Sequence, residues 1–453
     1  MGNAEREPKP PPTSAELTSA VSSLSALPHP AIPSLGSNPQ PNLRALSLPL
    51  RLWPPILFTG AAAGLAGGLL MKLLRIVQHA CYAYQSGDFL DGVRGVSGER
   101  RLLVMTCAGV LTGVALLLIR RISDSKRPGL TESIWKHNAD LPARSMTAKA
   151  LLSIVIVGMG AALGREAALK QSGGMIGANI AKWTRISPEH RKLLVACGVG
   201  AGMAAAYNVP FGGALFTLEV LLGTASLAAA VPAFTCSFLA TAVAWLLLPN
   251  EPTYHFPDLR STTSLLVWSV LCGPLMGFAA ILFVRGVHWA KDHKPVRWGL
   301  FVMPVLIFSA LGCAAIPWPA LLGNGKNVVQ LAIDSQIPVQ LLVILLFLRP
   351  LATVACLRAG APGGLFTPTM TCGALVGGVL GQAWSYIYPG ADKRSCALIG
   401  AGAVLSAATQ APISSIAFIL ELTGNANTLT VPLLAAIAGA TITCRHFESR
   451  TSY

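Results

Sequence analysis

Charge is scarce in this sequence. Only 12% of its 453 residues are Asp, Glu, Lys or Arg, against roughly 25% in soluble globular chains, and the mean hydropathy is +0.58. An ordinary soluble domain is thereby excluded. Metal and redox spacings are lacking as well. The ten cysteines form no CxxC and the eight histidines no HxxxH or HExxH, so the cysteines read as small buried hydrophobes and no metal or cofactor is expected. No His/Asp/Glu cluster lies at membrane depth to give a membrane-embedded enzyme its chemistry, and that class stays a distant alternative. Residues 1–48 lack helical periodicity and also lack the basic start, apolar core and cleavage site of a secretory signal. Rich in Pro and Ser, they read as a disordered tail.

Uncharged stretches of membrane-spanning length are what the chain has instead: Pro54–Met71, Leu102–Ile119, Leu193–Leu218, Val220–Asn250, Thr262–Val284, Ser395–Leu420 and Leu422–Cys444. A span needs about 20 such residues. The expectation is an all-α polytopic membrane protein over residues 49–453. Its net charge of +15 gathers in Arg120–Lys149, Lys182–Lys192 and Arg285–Arg297, while Tyr82–Glu99 and Asn250–Arg260 lean acidic. That asymmetry suits cytoplasmic and outer faces respectively and requires no nucleic-acid partner.

The chain also resembles itself. "GAGMAAAYNVPFGGALFTLEVL" begins at Gly200 and "GAGAVLSAATQAPISSIAFILELT" at Gly400, each with a proline nine positions before a glutamate (Pro210 to Glu219, Pro412 to Glu421). A weaker echo joins Gly64–Ala80 to Gly273–Ala290. The link after the first copy's opening helix is acidic and the corresponding link in the second is basic. The copies, about 50–250 and 262–453, are therefore expected to cross in opposite senses. Inverted repeats with broken helices at the midplane are a recurrent transporter plan. Breaks are expected at "KRPGLTES" (Lys126–Ser133), "GREAAL" (Gly164–Leu169) and "GAPGGLFTPTM" (Gly360–Met370), each leading into a helix whose free N–H groups and dipole favour an anion.

Together these segments resemble the CLC family of chloride channels and proton-coupled chloride transporters, from about Leu50 to the end. "GREAAL" is similar to the family's GREGP segment, "GAPGGLFTP" to its GxFxP segment, "RPGLTE" to a degraded GSGIPE, and "ESRTSY" to the segment carrying the pore tyrosine, here Tyr453. The resemblance implies that the amides of Leu365 and Phe366, beside Gly364, hold a chloride at the pore centre. It implies an outer site at the amides of Arg165, Glu166 and Ala167, with the Glu166 carboxylate as a gate that occupies that outer site when ionised. It also implies a homodimer with one pore per subunit, and the short form reads as a multi-pass protein of a bacterial inner membrane. An ionisable group at membrane depth is functional by default, which is the independent reason to single out Glu166.

The departures from the family pattern are specific. Alanines Ala167 and Ala168 follow the gate. Pro128, before Gly129, stands where a serine hydroxyl faces the central anion, as in relatives selective for nitrate. Val220 stands at the inner proton-site position, where coupled members often carry an acid. Val220 tips the expectation toward a passive channel, with a proton/chloride or proton/nitrate exchanger as the alternative. Relatives also continue past the position of Tyr453.

Overall fold

The computed structural model describes residues 49–450 apart from 86, 123–132, 136–138, 140, 257–260, 389–391 and 425. The described residues fall in one packed unit within Pro41–Thr451. They form helices joined by short turns: α1 (Trp53–Tyr82), α2 (Phe89–Gly95), α3 (Gly98–Ile122), α4 (Ala143–Gly158), α5 (Glu166–Trp183), α6 (Pro188–Tyr207), α7 (Pro210–Phe216, continued as a π-helical turn over Thr217–Leu222), α8 (Leu227–Ala244), α9 (Thr263–Asp292), α10 (Gly299–Ala314), α11 (Lys326–Ile333), α12 (Val339–Arg358), α13 (Phe366–Ile387), α14 (Lys393–Thr409), α15 (Pro412–Thr423) and α16 (Thr430–Arg450). The sequence copies opening at Gly64 and Gly273 lie on α1 and α9, and those opening at Gly200 and Gly400 run over α6–α7 and α14–α15.

Among the described residues, five helices are long and apolar enough to cross a membrane, at Leu50–Tyr82, Gly98–Arg121, Leu227–Ala244, Thr263–Asp292 and Val339–Arg358. Apolar side chains such as Phe58, Leu271, Leu282 and Phe347 point outward from them, as helices facing lipid require. The remaining uncharged stretches are not single spans, which corrects the sequence reading. Leu193–Leu218 is cut at Asn208 (φ 58) and Ser395–Leu420 at Gln410 (φ 55). Each of these left-handed residues closes one helix, and a proline two positions on opens the next. Gly223 (φ 62) and Gly424 (φ 69) make the matching turns after α7 and α15.

Helices α6 and α14 are buried along most of their length and form the centre of the two halves. Glycine lets α5 and α13 approach them backbone to backbone. A Cβ placed on Gly173 would run into the Gly198 carbonyl, and one on Gly373 into the Gly400 carbonyl, with the reverse clash at Gly198 and at Gly400.

The prolines and glutamates of the repeat lock the halves together. Glu421, near the end of α15, accepts the Phe211 and Gly212 N–H groups that open α7, at 2.9 and 2.6 Å. Glu219 accepts those of Ile413 and Ser414, which open α15, at 3.1 and 2.7 Å, and the Ser414 hydroxyl at 2.8 Å. Each helix has its otherwise unpaired N–H groups satisfied by the other half's carboxylate.

Candidate functional site

Two of the expected breaks meet. The segment before α5 is shaped by Gly160 (φ 114) and tied down by Tyr82, whose hydroxyl donates to the Met159 carbonyl at 2.7 Å. Thr353 of α12 donates to the Ala162 carbonyl at 2.9 Å. Gly164 then pairs with Gly364 in a single antiparallel bridge, with N–H···O contacts of 2.8 and 2.7 Å in the two directions. Helices α5 and α13 therefore start side by side on oppositely directed chains.

Both glycines leave room for one side chain. A Cβ on Gly164 or on Gly364 would overlap the Glu166 carboxylate. Glu166 is wholly buried. One of its oxygens accepts a short hydrogen bond from the Phe366 N–H, 200 positions away. The other accepts the Tyr207 hydroxyl at 3.0 Å. Tyr207 Oη is also 2.8 Å from Thr367 Oγ1, and having given its only proton to Glu166 it must accept from Thr367. The chain Thr367 to Tyr207 to Glu166 thus ends on a carboxylate that also takes a backbone N–H at a helix start.

The carboxylate therefore rests on the Phe366 amide, where the family resemblance puts the central anion, and not at the outer position. A flexible two-torsion reach from the first turn of α5 permits either place. The Tyr207 hydroxyl and the Phe366 amide together supply the donors that favour the inner one. The Gly364 N–H is engaged by Gly164, Leu365 is the residue preceding α13, and Ala167 lies in the first turn of α5. Val220 lies in the π-helical turn after α7. Its neighbour Glu219 is committed to capping α15. Pro128, Gly129 and Tyr453 lie outside the described residues.

Arg165 faces outward from the gate. It is 9% exposed, and its guanidinium stacks 4.6 Å above the Tyr207 ring. Its side chain borders two outer cavities of about 260 and 380 Å³, which share Arg75, Asp88 and Lys326. Burial, and next the Arg165 charge, pull Lys326 below the ordinary lysine range, while Asp88 and Glu251 push back. Arg75, Arg165 and Lys326 thus line the approach to Glu166, with Asp88 and Glu251 among them.

Sequence reasoning passed over Tyr207, Thr367 and Lys170. Tyr207 and Thr367 lie inside the quoted segments, and a phenol at a helix end within an apolar stretch was the available signal. Lys170, on α5, sets its Nζ 5.5 Å over the Phe216 ring.

Residues 108–445 match the family model described as voltage gated chloride channel. A putative chloride channel protein, ClcB-like, of Ralstonia nicotianae is 30% identical over 84% of this chain and 90% of its own. The voltage-gated ClC-type chloride channel ClcB of Salmonella dublin is 29% identical over 85% and 95%. Among solved structures, a slow cyanobacterial Cl⁻/H⁺ antiporter superposes with a TM-score of 0.78 at 22% identity, covering 88% of this chain and 96% of that one. A CLC-type fluoride/proton antiporter gives 0.71 at 20% identity over 86% and 94%.

Proposed function

The chain belongs to the voltage-gated chloride channel family, and from that premise we propose that it exchanges chloride, or a similar small anion, for protons through Glu166. The observation that carries the proposal is the Glu166 carboxylate on the Phe366 N–H. There the ionised gate is itself the bound anion, so a permeant anion enters that position only when the carboxylate leaves it. Protonation removes the charge that holds it and lets it go. A gate that alternates with the anion at one set of donors links the two movements.

Val220 favours the passive channel. The competition at Phe366 favours exchange, and so do the proton-coupled relatives of the same fold, so the exchanger takes precedence. We place the protein in a bacterial inner membrane, in line with its bacterial relatives, as a homodimer by resemblance to the family. Gly364, Leu365, Phe366, Arg165 and Ala167 form the anion path, with Pro128, Gly129 and Tyr453 assigned to it by the same resemblance.

The test uses purified protein in liposomes with an imposed chloride gradient, a potassium clamp and a pH electrode. Exchange predicts uphill proton movement in fixed ratio to the anion, abolished by Glu166→Gln. Anion flux with no proton movement returns the protein to the channel reading.

A further inference from the structure

We propose that Lys170 is the inner proton station of this protein, taking the part for which Val220 has no titratable group. The inference rests on the exchanger reading above.

Lys170 follows Glu166 by four residues on α5, so the two share a helix face about 6 Å apart along the axis. Helix α5 runs from the gate toward the basic link Lys182–Lys192, which is the cytoplasmic direction. Lys170 thus lies one turn below the gate on the side from which an inner proton must come. Its Nζ sits 5.5 Å over Phe216. Phe216 is buried and comes four positions before Val220. It is also 6.3 Å, ring to ring, from Phe418, which is 4.7 Å from Phe366. Lys170 is thus connected through Phe216 and Phe418 to Phe366, the residue whose N–H holds the gate.

Among the described residues, the charges that act on Lys170 are Glu166 above it and Lys291 at the cytoplasmic end of α9. Lys294 neighbours both Lys291 and Lys149. The nearby acid of α7, Glu219, is held by the Ile413 and Ser414 amides. Lys170 therefore has the Glu166 carboxylate and the Phe216 ring to offset its ammonium. A lysine amine, unlike a guanidinium, accepts and releases a proton.

The step balances simply. The Lys170 amine takes a proton from cytoplasmic water. One Nζ–H bond then breaks, directly or through water, as the proton bonds to a Glu166 carboxylate oxygen. The amine is regenerated, and the neutral glutamic acid releases the Phe366 N–H to an anion.

Three variants in the liposome assay test the proposal. Lys170→Met and Lys170→Arg should slip, lowering the proton-to-anion ratio at least tenfold. Lys170→His, which titrates, should retain coupling with an optimum at lower pH. Should Met fail to insert, Arg decides, because it keeps the charge and the length. A wild-type ratio in Lys170→Arg overturns the proposal, as does anion flux without coupling in Lys170→His. If wild-type protein itself moves anions without protons, the exchanger reading falls together with this one. Coupled wild type with coupled Met and Arg variants removes only the role of Lys170.

Discussion

Glu219 and Glu421 each end one proline-started helix and cap the start of the other's. The carboxylates reach Ile413 and Ser414 on one side and Phe211 and Gly212 on the other, all within 3.1 Å. The proline-to-glutamate spacing seen twice in the sequence is thus a pair of interlocking caps. It fixes α7 against α15.

Removing one cap should destabilise the fold more than it alters transport. Glu421→Ala deletes two charge-assisted acceptors worth roughly 1.5–3 kcal/mol each, so a loss of about 3 kcal/mol is expected. Glu421→Gln, which keeps an acceptor oxygen, should lose less. Thermal unfolding in detergent reads the difference, and equal stability of the alanine variant and wild type would show that the caps contribute nothing.

Glu166→Gln should abolish the response of anion flux to external pH. The amide is uncharged at every pH and cannot compete as an anion for the Phe366 N–H. Flux recorded from pH 4 to 8 in a folded variant should be flat. A wild-type titration curve would remove Glu166 from the gate.

Tyr207→Phe should move that titration to higher pH. The Tyr207 hydroxyl donates to the carboxylate at 3.0 Å and so favours its ionised form. Without it, protonation and release occur at lower proton concentration. A net hydrogen bond of about 1 kcal/mol corresponds to somewhat less than one pH unit. An unmoved midpoint would mean that the Phe366 amide alone holds the gate.

Pro128→Ser should shift preference from nitrate toward chloride. A restored hydroxyl donor worth about 0.5–1.5 kcal/mol predicts a several-fold change in relative flux. Side-by-side chloride and nitrate uptake measures it, and an unchanged ratio removes the assignment of Pro128 to the anion path.

The sequence by itself determined the membrane class, its own self-similarity and two of the helix breaks, at Gly164–Leu169 and Gly360–Met370, while Lys126–Ser133 lies almost wholly outside the described residues. Those features are written in short-range terms: runs without charge, Gly and Pro clusters, and a proline at fixed distance from a glutamate. It also marked Glu166, because a carboxylate in an apolar stretch is conspicuous wherever the chain folds. Helix ends were less legible, since Leu193–Leu218 shows no charge at Asn208 to announce the left-handed turn there.

Only the tertiary structure decided what Glu166 touches. Its partners are Phe366, 200 positions on, and Tyr207, 41 positions on. Contacts between residues so far apart depend on how helices pack, and no periodicity encodes them. The same holds for the Gly164–Gly364 bridge, for the crossed caps of Glu219 and Glu421, and for Lys170 over Phe216. For the glycines and the glutamates a local signal named the residue and packing supplied its partner; for Lys170 packing supplied both.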